Sequence, residues 1–597
     1  MSAYTPPTED LQFIFEELID LDGIRQLPGY EEVYPDLVEA ILSEAAKVAS
    51  EILSPLNRVG DEHGVRLEGD VVMTPPGWQE AFKTFVEGGW TGLMFEPEFG
   101  GQGLPRVVAT AVQEMWESSN MAFALWLLLT QAAAEAISIT GSDQQKSIYL
   151  KKLVQGEWTG TMNLTEPQAG SDLSTVNARA VPTGDDHYHL SGQKIFITYG
   201  DHDLTPNIIH LVLARTPDAP EGVKGISLFI VPKFIPDANG APGERNEVRC
   251  ISLEHKLGIH GSPTAVMSYG EDKGAVAYLV GEENRGLEYM FIMMNAARHA
   301  IGVEGYGIAE RAYQRALTYA EERIQGRIVG QRDGDRVAII QHPDVRRMLL
   351  EMRCQIEAMR ALGCWSAAAM DRAAKHPDPA VRLREQRRVD VLIPVVKGWS
   401  TEIGTQITSQ ALQVHGGMGF IEETGAAQHY RDARITTIYE GTTGIQATDL
   451  VGRKLLRDGG EMVRELIVDM REDLLSIRNS ANESSEIAGV VDEALEELEI
   501  ATDWICKSVC RDQRLPYAAS FDYLMLFGTI VGGWQMACAA GAAARRLAAG
   551  HGDSQFNRAK ILSARCYAYQ VLARVPGLSS QVQYGAEVMV EAGDTLF

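Results

Sequence analysis

Two stretches of this chain hold residues whose types and spacing could do chemistry. In Thr437-Ile438-Tyr439-Glu440-Gly441-Thr442-Thr443-Gly444-Ile445-Gln446 a glutamate stands between a β-favouring apolar run and a glycine turn. A carboxylate held at such a turn can act as a general base if the proton it takes lies within hydrogen-bond reach. The bland alternative is a solvated loop charge, since glutamate is mostly exposed. Far upstream, Met162-Asn163-Leu164-Thr165-Glu166-Pro167-Gln168-Ala169-Gly170-Ser171-Asp172 supplies hydroxyls, amides and a glycine, the small hydrogen-bonding groups that a bound cofactor needs. In isolation Ser171 and Asp172 also read as a turn or a helix cap.

Charge narrows the ligand. The net charge of −27 and pI near 5.0 exclude nucleic acid, which needs a basic surface to release its counterions. An anionic ligand therefore needs local arginines. Arg298, in Asn295-Ala296-Ala297-Arg298, offers a planar fork suited to a phosphate or ribose, with a solvated helix face as its alternative. Cys250, Cys354, Cys364, Cys506, Cys510, Cys538 and Cys566 include no CxxC pair and no histidine at zinc-ligand spacing. No metal is expected, and free thiols fit a reducing, cytoplasmic location. Cys506 and Cys510, four apart, could share one helical face as core residues. The first ten residues carry neither a signal peptide nor a transit-peptide pattern. The apolar windows 122–137 and 523–541 read as too short or too polar for a membrane span of about 20 apolar residues, so a soluble protein is expected.

The elements that must position these residues fall into segments. A chain of 597 residues exceeds one hydrophobic core, so two to four domains are expected. Residues 1–34 form an N-terminal extension. Residues 35–156 read as helical, with Val33, Leu37, Ile41, Ala45 and Val48 at spacings of three and four, broken once by the glycine-rich loop 95–103. Residues 157–280 carry short β-rich runs at 188–190, 195–198, 208–214, 226–231, 265–269 and 276–280 without helices between them. Such runs predict an antiparallel barrel or sandwich and not a Rossmann sheet, whose GxGxxG is missing. Residues 281–459 return to long helices, with Val345, Met348, Leu349, Met352, Ile356 and Met359 in one stripe. Residues 460–597 are a further, separate helical domain. The fold class is α+β, mainly helical.

The order helical, β, helical joins two motifs. Thr165 to Asp172 follow a TEPxAGSD pattern, and Lys194-Ile195-Phe196-Ile197-Thr198-Tyr199-Gly200 follow KxWITNG, with Phe196 for tryptophan and Tyr199 for asparagine. Over roughly residues 35 to 455 the chain resembles the acyl-CoA dehydrogenase flavoproteins. That resemblance implies FAD as cofactor and an acyl-CoA as substrate. Under it Met162, Leu164, Thr165 and Gly170 line the flavin, Ser171 touches the flavin or the CoA chain, Phe196 lies beside the ring and Thr198 donates near N5. Glu322 to Arg327 resemble an RxQFG segment that lacks its phenylalanine and has glycine one residue early. Arg323 and Gln325 there reach the FAD of a neighbouring subunit, and Gln341, Gln413, Gly417 and Thr442 complete the cofactor site. Alone, the glycines after Gln413 read as a helix-breaking turn. Asn295, Arg298 and Gly441, with Ser171, hold the acyl-CoA. One FAD needing two chains implies a homodimer or a dimer of dimers.

The same resemblance makes Glu440 the base that takes the α-proton while a hydride leaves the β-carbon for flavin N5. The thioester oxygen is polarised by a ribityl hydroxyl and the Glu440 backbone N–H. An acyl chain that strips water from such a carboxylate makes it a stronger base. The extra residues 4–53, the segment after Gly460 and the spacing from Phe196 to Glu440 resemble a long bacterial subgroup. Within it, Phe196 to Leu204 resemble most the enzymes that dehydrogenate 3-methylmercaptopropionyl-CoA to the 2-enoyl-CoA in the breakdown of dimethylsulfoniopropionate, while related members oxidise ordinary acyl-CoAs. Short- to long-chain fatty acyl-CoAs stay open as substrates. Trp126 with residues 127–129 lies where relatives close the end of the acyl pocket, although plain core is the alternative. The electron acceptor expected is an electron-transfer flavoprotein. An acyl-CoA oxidase shares the fold and base but passes electrons to oxygen, and a scaffold without catalysis is the non-enzymatic alternative. Residues 460–597 hold no catalytic cluster and are expected to cover the bundle and limit association. Their Asp492, Glu493, Glu496, Glu497 and Glu499 disfavour anionic lipid.

Overall fold

The computed structural model describes residues 4–331, 334–479, 483–593 and 596. The fold is a mainly helical α+β arrangement in two compact units. Met1–Ala46, Pro105–Ser118 and Ile301–Phe597 form the first, and Lys47–Leu104 with Ser119–Ala300 the second. Two of the four borders lie inside long helices, α2 (Arg106–Thr140), which is kinked at Asn120, and α3 (Gly286–Glu322).

In the second unit the segment 47–104 is broken twice, by the loop before Arg106 and by a short hairpin of Arg66–Glu68 with Val71–Met73. The sheet follows in eight strands: β1 (Thr159–Asn163), β2 (Arg179–Pro182), β3 (Tyr188–Thr198), β4 (Ile208–Ala214), β5 (Ser227–Pro232), β6 (Val248–Leu253), β7 (Thr264–Tyr269) and β8 (Ala275–Leu279). They run as the path β6-β7-β3-β8-β5-β4-β1, with β2 also paired to β3. The two runs expected at 188–190 and 195–198 are one strand. The pairing is antiparallel except that β1 lies parallel to β4, Thr159 opposite Ile208. No hairpin links those two strands, so nothing in the connection forces opposite directions.

β1 escaped the sequence pattern because it is Thr-Gly-Thr-Met-Asn, yet all five residues are buried. Its polar groups are met inside: Thr159 by His202 at 2.8 Å, Thr161 by the Thr198 carbonyl at 2.8 Å, and Asn163 by the Tyr269 phenol at 2.7 Å. Buried polar groups persist only when bonded in this way. Gly160 lets α2 close in, since a Cβ there would sit 2.6 Å from that of Ala133.

In the first unit α1 (Thr8–Glu17), α4 (Pro343–Lys375), α5 (Pro379–His415), α6 (Thr443–Asp449), α7 (Glu461–Arg478), α8 (Glu483–Ser508), α9 (Ser520–Ala549) and α10 (Ser554–Cys566) join the end of α3. One apolar core runs from Val303 through Met352, Trp399 and Leu450 to Leu495, Phe527 and Val582. The segment 460–597, expected to be a further helical domain covering the bundle, shares a core with it, because α9 packs against α4 and α5 and α7 against α5, with α8 packed on α7 and α9. The N-terminal extension is tied in as well. Phe13 packs against Ala539, Ala542 and Ala543, and Asp10 meets Arg360 at 2.7 Å and Lys560 at 2.6 Å.

Three finer expectations change. In the helix Pro35–Lys47 the buried face is Val38, Leu42 and Ala45, while Leu37 is exposed, so the buried stripe is one residue out of phase at that turn. Cys510 lies beyond the end of α8 and shares no helical face with Cys506. α2 and α9 are long and apolar enough to cross a bilayer, with mean hydropathies of 1.6 and 1.3. Their most apolar windows are 78% and 94% buried within the chain, which marks core helices. Among the described residues no group of side chains could hold a metal ion.

Candidate active site

Glu440 sits in a sharp connection between a turn of 3-10 helix, Arg434–Thr437, and α6. The sequence pointed to a β-favouring run before it. The chain coils instead, with Thr436 Oγ1 donating to the Ala433 carbonyl at 2.7 Å, a side-chain bond that competes with strand pairing. Glu440 has φ +52° and Gly441 φ +86°. A left-handed residue other than glycine costs about 1–3 kcal/mol and persists only where its surroundings determine it. Here they do. The fully buried Gln446 donates from Nε2 to the carbonyls of Glu440 and Gly441, both at 3.2 Å, and Thr442 Oγ1 caps α6 by accepting from the Ile445 N–H at 3.3 Å. A Cβ at 441 would lie 2.8 Å from that amide nitrogen. Thr443 Oγ1 donates to Glu402 at 2.6 Å, and the Tyr439 phenol donates to Glu304 Oε2. The half-buried carboxylate of Glu440 is thus presented at a fixed helix entry.

The polar loop lies in the second unit, on the segment after β1. Its anchor is Glu166, which is buried and accepts from Lys194 Nζ at 2.8 Å, the Asn177 N–H at 2.7 Å, the Ala178 N–H at 3.0 Å and Gln168 at 2.6 Å. Burial disfavours the ionised carboxyl, but Lys194 and these donors outweigh it and hold its pKa below the ordinary value. Lys194 also donates to the Leu164 carbonyl at 3.0 Å, so the loop from Leu164 and strand β3 form one rigid piece. Asp172 caps the next turn, accepting from Ser174 at 2.9 Å, as the cap pattern implied.

At the end of β3 the register against β7 slips between Ala265 and Met267. The slip is a bulge, and within it Phe196 has φ +60° and is 59% exposed. A bulge turns a side chain out of its alternation, which explains an aromatic ring standing in the open. Tyr199, φ +50°, is instead buried and donates to the Ala122 carbonyl at 2.8 Å. Among the described residues the hydroxyls of Thr165, Ser171 and Thr198 have no partner in the chain, and a Cβ on Gly170 would meet nothing within 4 Å. An open ring, three available hydroxyls, the buried Met162 and an unobstructed glycine fit the edge and face of a flat polar heterocycle.

The remaining candidates divide between the units. Asn295 and Arg298 lie on the second-unit part of α3, and Arg298 is only 4% exposed, so it is no solvated surface residue. In the first unit Arg323 and Gln325 cross the segment before α4 at the Ile324–Ala338 bridge, with Gln325 N–H donating to Val337 O at 2.9 Å. Gln341 follows and accepts from Arg346 at 3.0 Å. Arg323, Gln325, Gln341, Gln413 and Gly417 are all exposed. The last two sit at the end of α5, apart in sequence from the bridge, with Phe420 89% exposed beyond them. Trp126 is fully buried and packs on Phe82 at 4.6 Å and Phe85 at 5.6 Å, so its observed surroundings are core. Gln446, Glu304 and Glu402 were not singled out from the sequence. Gln446 lies in the quoted window, but its role depends on the turn it ties.

Four family models match: acyl-CoA dehydrogenase, N-terminal domain, at residues 38–157; middle domain, at 161–270; C-terminal domain, at 284–456; and acetyl-CoA dehydrogenase C-terminal like, at 464–592. The chain is 49% identical to the 3-methylmercaptopropionyl-CoA dehydrogenase of Ruegeria pomeroyi, covering 100% of this chain and 99% of that relative. It is 34% identical to a butyryl-CoA dehydrogenase of Syntrophomonas wolfei, over 96% of this chain and 95% of that one. Its fold is similar to that of ACDH-11 from Caenorhabditis elegans, solved in complex with C11-CoA, with a TM-score of 0.79 at 22% identity over 100% and 97% of the two chains.

Proposed function

This chain belongs to the acyl-CoA dehydrogenase family, and from that premise we propose that it dehydrogenates 3-methylmercaptopropionyl-CoA with Glu440 as base. An acyl-CoA dehydrogenase removes two hydrogens from the acyl chain, a proton from the α-carbon and a hydride from the β-carbon, leaving a 2-enoyl thioester. FAD, when bound, supplies the acceptor for that hydride.

The observation that carries this assignment is the left-handed Glu440 turn, tied at two carbonyls by Gln446. Backbone strain concentrates where a side chain must be aimed. A base held at a fixed helix entry takes the α-proton without reorganising, and its backbone N–H can polarise the thioester oxygen. Thr165, Ser171, Thr198 and the ring of Phe196 would hold the flavin. The buried Arg298 would grip the CoA, where a guanidinium offsets the acidity of the chain.

The substrate rests on the whole-chain identity to the Ruegeria pomeroyi enzyme, against the lower identity to a butyryl-CoA dehydrogenase. A short linear acyl-CoA is the second reading, which that 34% relative favours. Electron-transfer flavoprotein is taken as the acceptor. A homodimer is taken as the working form, because Ile324, Val329 and Phe420 leave apolar surface open near Arg323, Gln325 and Gly417 in the chain, and the cytoplasm is taken as its location.

The test is anaerobic bleaching of the flavin in wild type and in a Glu440→Gln variant that retains FAD. A positioned base contributes about 10² to 10⁴ in rate, and bleaching by the variant at the wild-type rate would remove Glu440 from the mechanism. Turnover of 3-methylmercaptopropionyl-CoA, butyryl-CoA and palmitoyl-CoA ranks the substrates. Highest kcat/KM on palmitoyl-CoA overturns the short-chain assignment, and stoichiometric peroxide would make the protein an oxidase.

A further inference from the structure

Two carboxylates are buried behind the residue that precedes the base. Glu304, on α3, is fully buried. Its Oε2 accepts from the Tyr439 phenol while Oε1 has no hydrogen-bond partner among the described residues. Glu117, on α2, is also buried, and its Oε2 is without a hydrogen-bond partner among the described residues. The buried Lys397 of α5 provides the positive charge felt by Glu304. Taking carboxylates out of water costs several kcal/mol each unless their lone pairs are met, and breaking even with apolar replacements is common. Stability alone therefore gives no reason to keep Glu304 here.

Its position does. Tyr439 is the neighbour of Glu440, whose carbonyl is tied by Gln446 on the other side. The left-handed residue is thus held between two side-chain hydrogen bonds, one on each flank. We propose that Glu304 is a positioning residue for the base: by fixing the Tyr439 phenol it keeps the Glu440 turn in its strained, working conformation. This rests on Glu440 being the base.

Glu304 also links the turn to pH. Burial raises its pKa to about 8, against the pull of the Tyr439 bond and Lys397, with the charge of Glu440 adding to the rise. Glu117 is pushed well up by its own burial and then by Glu304. The titratable groups facing Glu304 are therefore Glu117 from α2, Lys397 from α5, and Tyr439 and Glu440 from the turn. Burial thus favours the protonated form of Glu304 near neutral pH. As pH rises through about 8 it becomes an anion, which makes the neighbouring Glu440 a stronger base.

The experiment uses full-length, FAD-loaded wild type, Glu304→Gln, Tyr439→Phe and Glu440→Gln. Limiting rates of anaerobic flavin reduction are followed from pH 6 to 9.5, with butyryl-CoA and 3-methylmercaptopropionyl-CoA in parallel. Tyr439→Phe should lower the limiting rate roughly 10- to 100-fold while the half-saturating concentration changes less than about threefold, as misplacement of a reacting group does. Glu304→Gln, whose amide still accepts the phenol, should stay nearer wild type at pH 7 and lose the rise in rate near pH 8. Wild-type rates and pH profiles in both variants would overturn the proposal, as would rate losses that only track lost FAD or lost thermal stability. Glu440→Gln separates the two levels: its retained activity refutes the base itself, whereas its inactivity beside unaffected Glu304 and Tyr439 variants refutes only the positioning role.

Discussion

Gln446 donates one side-chain amide to two successive carbonyls, those of Glu440 and Gly441, at 3.2 Å each. Gln446 is fully buried, so the pair of bonds is made away from water and fixes the turn from inside α6. Gln446→Leu keeps the volume and removes both donors. It should cost about 1–3 kcal/mol of stability through unmet carbonyls and lower kcat roughly 100-fold through misplacement of Glu440, the proposed base. Full FAD content with wild-type kcat in the variant would show that the turn holds without Gln446.

Gly441 has no substitute at its position. Its φ of +86° disfavours any side chain, and a Cβ would come within 2.8 Å of Gln446 Nε2. Gly441→Ala should therefore cost about 1–2 kcal/mol and cut kcat by at least tenfold, because the Cβ displaces the amide that ties Glu440. Gly417→Ala is the control: a Cβ there meets nothing within 4 Å of the chain. It should leave the thermal midpoint of the apoprotein unchanged.

Phe196 tests the proposed flavin contacts of the second unit. Its ring is 59% exposed at a bulge, so little packing is lost when it is removed. Phe196→Ala should change the stability of the apoprotein by less than about 1 kcal/mol while weakening FAD retention on gel filtration, since an aromatic ring beside a planar heterocycle contributes about 0.5–1.5 kcal/mol. Unaltered retention would place the flavin away from this ring.

Glu440 and the polar loop were legible because local residue types mark them: a carboxylate before glycine, and small polar residues in a run. The bulk fold was legible for the same reason, since the texture changes from helical spacing to short β-branched runs and back. What escaped depends on partners distant in sequence. β1 is polar in composition and is a strand only because His202, Thr198 and Tyr269 meet its side chains. The exposure of Phe196 follows from a slip of register against β7, which β3 by itself does not encode. Glu304 lies mid-helix with no local signature and gains meaning only through Tyr439. Likewise residues 460–597 were legible as a further helical domain, but the surface they bury against was not, because an amphipathic helix does not announce which surface it will cover.

Arg360 should be the costliest single charge in the first unit. Its guanidinium grips Glu114 at 2.6 to 2.9 Å, Glu310 at 2.6 Å and Asp10 at 2.7 Å, joining α1, α2 and α3 to α4. Arg360→Met leaves the buried Glu114 and its neighbours without their cation, an arrangement that costs about 3–5 kcal/mol. The denaturation midpoint should fall accordingly, and limited proteolysis should release the N-terminal extension first, because Asp10 loses Arg360 and is left with Lys560. A midpoint within about 1 kcal/mol of wild type would mean that the three carboxyls take up protons at little cost.

In the second unit, His260 ties its loop to Asp61 with Nδ1 and Oδ1 3.0 Å apart. That hydrogen bond, helped by the charge of Asp61 and opposed by burial, raises the pKa of His260 from 6.5 to about 9. A histidine whose folded pKa lies above its unfolded one favours folding fully below the unfolded value and loses that contribution as pH rises through the folded value. The contribution is therefore whole at pH 6, still present at pH 7 to 8, and gone by pH 10. His260→Gln keeps a polar group but cannot carry the charge. Its thermal midpoint should fall below wild type at pH 6.5, and the gap should close as pH passes 9. A gap that stays constant from pH 6.5 to 10 would show that packing, and not the charged pair with Asp61, is what His260 provides.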